Sequence, residues 1–107
     1  MEVTSTVPAD GSPVQLALNS LDVNLNEEVD PLSVRESDLA LSQGTVTDVE
    51  VLPGETTIRF TLSGITTEGT LYASIAAGAF ADEFGNPSLA FAGSYSLDIG
   101  AIPFPTP

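Results

Sequence analysis

Apolar residues recur at every second position along most of this chain, and that period selects strands over helices. The clearest case is "TVTDVEVLPGETTIRFTLSG", residues 45 to 64. Val49 and Val51 alternate with Asp48 and Glu50, then Ile58, Phe60 and Leu62 alternate with Thr57, Arg59 and Thr61. Between the two runs stand Pro53 and Gly54. Proline presets φ and glycine accepts φ > 0, so this stretch predicts a hairpin. The same alternation puts Leu21, Val23 and Leu25 on one face, then Leu71, Ala73 and Ile75, then Tyr95, Leu97 and Ile99. "PVQLAL" and "SDLALSQG" supply two further short strands, and Pro31 to Val34 predicts one short helical turn. About seven strands at spacings near ten residues, separated by Gly, Pro, Asn, Asp and Ser, predict an all-β sandwich.

Charge then removes whole classes of function. Fifteen acids face two bases, Arg35 and Arg59, for a net charge of -13. Phosphate contacts need Lys or Arg to displace counterions, so nucleic acid is excluded as a partner. An anionic membrane surface repels such a domain as well. The two arginines are expected to sit among carboxylates. With no cysteine and no histidine, disulfides and Cys or His zinc sites are excluded. Nucleophilic catalysis by serine has no His or Lys to act as base. Paired carboxylates remain, but Glu27-Glu28 and Asp82-Glu83 are sequence neighbours, and strand neighbours point to opposite faces. No enzyme is expected.

"FADEFGNP", residues 80 to 87, is the stretch with most chemistry. As a calcium loop it offers Asp82, Glu83 and Asn86 as hard oxygen ligands, although the spacing is not that of an EF-hand. A second loop must then help, and "NEEVDP" offers Glu27, Glu28 and Asp30, with Asp10 as another source. As a turn, Asp82 bonds the backbone two residues on, while Gly85 or Asn86 takes φ > 0. "NEEVDP" has its own structural reading, since Asp30-Pro31 is a common start for a helical turn. Tyr72 alternates outward from Leu71 and Ala73, so it is the residue a glycan ligand would use. Its alternative is a buried tyrosine-corner hydrogen bond. Phe60, Phe80, Phe84 and Phe91 read as core or loop plugs.

Three segments together carry a family resemblance: "VTSTVPADGSPV", "SLDVNLNEEVDPLSV" and "AAGAFADEFGNP". They resemble, in order and spacing, the bacterial Ig-like domains of the surface-layer and Big-type families. The first-strand turn is matched by Pro8, Ala9, Asp10 and Gly11. The polar-acidic segment is matched by Asn26, Glu27, Glu28, Val29, Asp30 and Pro31, and the Asp-x-x-Gly-Asn loop by Asp82, Gly85 and Asn86. The resemblance implies an immunoglobulin-like β-sandwich repeated in large exported or surface-attached bacterial proteins, where it serves as spacer, stalk or adhesive unit. Its partners would be neighbouring domains of the same polypeptide. Calcium is the one cofactor the loops would take.

The expected organisation is a sandwich over residues 1–100 and a proline-rich linker over 101–107. "MEVTSTVPADG" lacks the basic region and apolar run of a signal peptide. No apolar stretch reaches the ~20 residues of a membrane helix. With no internal repeat and a stiff proline-rich tail, the chain reads as one copy from a larger array, which the resemblance implies is exported.

Overall fold

The computed structural model describes residues 1–98. The linker expected over 101–107, and Ile99 with it, lie outside the described residues.

Eight strands follow one another: β1 (Val3–Val7), β2 (Pro13–Gln15), β3 (Ser20–Leu25), β4 (Leu39–Leu41), β5 (Thr45–Val51), β6 (Thr57–Ser63), β7 (Gly69–Ile75) and β8 (Phe91–Asp98). They form two four-stranded sheets, ordered β1-β3-β6-β5 and β2-β8-β7-β4. This is the immunoglobulin-like sandwich expected, one strand beyond the about seven that alternation picks out. The extra strand is β1, whose Ser- and Thr-rich sequence leaves only Thr6 fully buried.

The inward faces are those the period marks. Leu21, Val23 and Leu25 meet Ile58, Phe60 and Leu62 from one sheet and Leu71, Ala73, Ile75, Tyr95 and Leu97 from the other, all buried in one core. The hairpin β5–β6 runs antiparallel, closed by Leu52 to Glu55. The Glu55 N–H donates to Leu52 O at 3.0 Å and Gly54 has φ 95°, which makes this a type II turn.

"PVQLAL" departs from expectation. Only Pro13–Gln15 is strand, because the chain then crosses to the opposite sheet, with Leu18 buried on the way. Pro31–Ser33 forms the short helical turn, and the Asp30 carboxylate accepts its Leu32 N–H at 3.0 Å. A second turn of this kind spans Glu36–Asp38. No helix among the described residues is long and apolar enough to cross a membrane.

Pro8, Asp10 and Gly11 explain how the first strand divides between sheets. Gly11 adopts φ 79°, which glycine does at no steric cost. Its N–H donates to Ser94 O at 2.7 Å, while Asp10 Oδ1 accepts the Ser94 N–H at 2.8 Å. The hinge is thereby fastened to β8, and β2 leaves it parallel to β8.

The chain enters and leaves at opposite ends. Met1 O accepts the Leu89 N–H at 2.9 Å and Glu2 O accepts the Asn26 N–H at 3.1 Å. Phe91, close by, pairs with Ile75; β8 then runs its whole length to Asp98, which pairs with Gln15. Eight residues of strand cover about 25 Å.

Candidate functional site

Three loops meet at the entry end. Residues 26 to 30 follow β3, residues 52 to 56 join β5 to β6, and residues 80 to 88 precede β8. Backbone bonds fix their meeting: the Val29 N–H donates to Glu55 O at 2.8 Å and the Asp30 N–H to Ala81 O at 2.9 Å. Val29 is fully buried between them. Ser33 Oγ accepts the Ala81 N–H at 3.0 Å and ties in the helical turn.

Asp82 is the buried acid of this end, only 4% exposed, and its carboxylate accepts three hydrogen bonds from its own loop. Oδ1 accepts the Phe84 and Asn86 N–H groups, each at 2.9 Å, and Oδ2 accepts from Asn86 Nδ2 at 3.0 Å. The Asp82 N–H in turn donates to Asn86 O at 3.0 Å. Gly85 takes φ 84° within the loop. These bonds hold the Asp82 carboxyl below its usual range: Asn86 acts first, through backbone and side chain, against the opposing effect of burial, and Phe84 and Glu27 add to it. The spacing Asp-x-x-Gly-Asn is thus the grammar of a self-bonded turn.

The acids that do converge are Glu28, Glu55 and Glu83, whose carboxylate oxygens lie within 4.8 Å of one another. Glu83 is held above its usual range. Glu55 is the main cause, by hydrogen bond and like charge; burial and the Asp30 charge add to it, and a hydrogen bond with Glu28 opposes it.

Of the six ligand candidates read from the sequence, Glu28 and Glu83 join this trio. Asp82 and Asn86 bond each other, and Asp30 caps its turn. Glu27 lies 3.6 Å from the N-terminal amino group and lines a hollow of about 210 Å³ with Glu28, Asp82, Glu83 and Phe84. Asp10 is engaged with Ser94 instead. Glu55 escaped the sequence reading because it follows Pro53-Gly54, where it looks like part of a turn. Its φ of 61° is the one positive value among the described non-glycine residues.

The aromatic and basic residues also sort themselves. Phe60 and Phe80 are buried and Phe91 is half-buried, but Phe84 is 91% exposed. The plug reading fails for Phe84 because Asp82 closes the loop by hydrogen bonds alone. Tyr72 is exposed, as its outward position predicts, beside a hollow lined otherwise by Asp10, Ala92, Gly93 and Ser94. The buried, hydrogen-bonded tyrosine is Tyr95. Arg59 forks onto Asp22 at 2.8 and 2.9 Å, with Glu50 opposite it on β5. Arg35 stands next to Glu36, and its backbone N–H, not its guanidinium, donates to Asp38 Oδ2 at 2.7 Å.

Known proteins agree with this architecture. The N-terminal part of the bacterial S-layer protein SbsC superposes with a TM-score of 0.69 at 15% identity, over 91% of this chain and 23% of that one. The chain thus spans about a quarter of the SbsC fragment. PcoC, a copper resistance protein from Escherichia coli, superposes with a TM-score of 0.72 at 14% identity, over 92% of this chain and 100% of that one. Likeness at this identity is one of fold. No curated protein matches the chain. The family model for the bacterial Ig-like domain matches residues 1–98, and the chain belongs to that family.

Proposed function

We propose that the chain is a non-catalytic structural module, a spacer or stalk unit within a large exported or cell-surface bacterial protein, coupled to neighbouring domains of the same polypeptide. The observation that carries this reading is the placement of entry and exit at opposite ends of the sandwich. Tension along the polypeptide then runs down the module's length. It meets β2 and β8 as a parallel pair whose strands are drawn past each other, so that their hydrogen bonds load together. The S-layer likeness is in keeping with such a role. The charge of -13 keeps copies apart in solution. A tandem of two copies, each with residues 99–107, tests the reading by X-ray scattering. Its maximum dimension is expected near twice the 54 Å long axis of one module, whereas a folded-back pair would overturn it.

A second reading, a calcium-dependent adhesion module, draws support from the convergence of Glu28, Glu55 and Glu83. Calcium takes six to eight oxygens, so all three would have to bind through both oxygens or recruit water. A melt in EDTA, calcium, magnesium and matched sodium chloride separates the two readings, since salt alone screens the acids. Extracellular calcium modules bind at about 10⁻⁴ to 10⁻³ M, and ten times that Kd stabilises by roughly 1.4 kcal/mol, or about 4 to 8 °C. A calcium-specific rise of that size, lost in Glu55→Gln, would establish the second reading. Equal melts in calcium and magnesium would reject it and leave the spacer.

A further inference from the structure

Four strands bound the two sheets: β1 and β5 in one, β2 and β4 in the other. Two of them, β2 and β4, have three residues each, and β1 slips register between Val3 and Ser5. The seven-residue β5 also slips register, between Val46 and Asp48, but keeps four consecutive pairs from Asp48 to Val51.

Two hydrogen bonds fix which way its backbone points. The Leu52 N–H donates to Thr57 O at 2.9 Å. Bonded pairs alternate along an antiparallel ladder, so the next ones are Glu50 with Arg59 and Asp48 with Thr61. The far side of β6 agrees: the Leu62 N–H donates to Asn19 O at 2.8 Å, which turns Leu62, Phe60 and Ile58 toward β3. Val49 and Val51 therefore direct N–H and C=O away from β6, to the unpaired side of the sheet, where the Glu36–Asp38 turn packs near β5. Among the described residues, no backbone hydrogen bond from the segment 31–38 reaches them. Beside them runs a groove of about 640 Å³ with Val49, Val51 and Leu52 on one wall and Pro31 and Val34 among the other lining residues. Its acids are Glu28, Glu50 and Glu55, and no cation lines it.

We propose that this edge receives an extended, basic peptide segment from another protein or domain as an added strand. Val49 and Val51 supply the main-chain pairing, and the groove takes apolar side chains at alternate positions. Lys or Arg beside those positions answers Glu28 and Glu55. A second copy is the wrong occupant, because its β5 would bring Asp48 and Glu50 against the same acids. An added strand leaves the spacer role untouched and draws on Glu28 and Glu55, two of the three acids a calcium ion would use.

The test is a titration of the full chain, ¹⁵N-labelled, with a synthetic peptide alternating valine and threonine between lysine ends. Amide exchange at Val49 and Val51 is expected to slow about tenfold or more. The same peptide N-methylated on its edge-facing amides should bind about tenfold more weakly, and a glutamate-ended version should weaken similarly at low salt. Val49→Pro removes one donor where an edge strand tolerates proline, and it should weaken binding with the ladder intact. Unchanged exchange at Val49 and Val51, equal binding of the N-methylated peptide, or self-association through β5 would each overturn the proposal.

Discussion

Tyr95 of β8 and Thr6 of β1 share a buried 2.8 Å hydrogen bond that joins the two sheets across the core. Thr6 Oγ1 donates its own proton to Pro8 O at 2.7 Å, so the Tyr95 hydroxyl is the donor to Thr6. Burial is the main reason that the Tyr95 hydroxyl is held above its usual range, and the Asp10 charge adds to it. The bond fastens β1 to the sheet that carries the exit strand. Tyr95→Phe keeps the ring and removes the donor. It is expected to lower stability by about 1 kcal/mol, and the melting temperature by about 4 to 8 °C, as read by calorimetry.

Asp82→Ala should be the most damaging single change in the entry-end loops. It strips the partners from two backbone N–H groups and the Asn86 side chain. Melting is expected to fall by at least about 5 °C, with faster amide exchange at Phe84 and Asn86. Glu27→Gln, on the rim of the same hollow, should change the melt by far less. Equal effects would mean that charge, not the turn, holds this end together.

Stability should peak in mild acid. Asp82 has a lowered pKa in the fold, so its contribution is present above the usual 3.8 and is lost as pH falls through its folded value. Glu83 has a raised one, so the native state binds the extra proton. Its penalty is absent below the usual 4.5 and grows as pH rises through the folded value. A melt series should therefore rise as pH falls toward the usual 4.5 of Glu83 and decline below the usual 3.8 of Asp82. Glu83→Gln should flatten the first limb and leave the second. A profile unchanged by that variant would contradict the assigned cause.

The strands were legible because period two is written into the side chains themselves. Leu21, Val23 and Leu25 face inward whatever sheet they join, and Pro53-Gly54 turns the hairpin wherever it lies. The division of the first strand was not, because it depends on Asp10 and Gly11 meeting Ser94 from the far end of the chain. The same limit governed the loops. The Asp82 turn is local, so its spacing revealed it. The trio of Glu28, Glu55 and Glu83 is assembled by Val29 bonding Glu55 and by Asp30 bonding Ala81, which no local pattern encodes. Phe84 misled for a related reason: an aromatic in a loop is a plug only if something covers it.

The most direct test of the structural role is single-molecule pulling in two geometries. One arm pulls between the N-terminus and a handle after Pro107, drawing β2 and β8 past each other. The other pulls between a Gln15→Cys handle, unique in a chain with no cysteine, and the same C-terminal handle. Gln15 is paired with Asp98, so that arm opens the pair one bond at a time. The end-to-end arm is expected to withstand several-fold more force before unfolding. Equal forces in the two arms would contradict a load-carrying module.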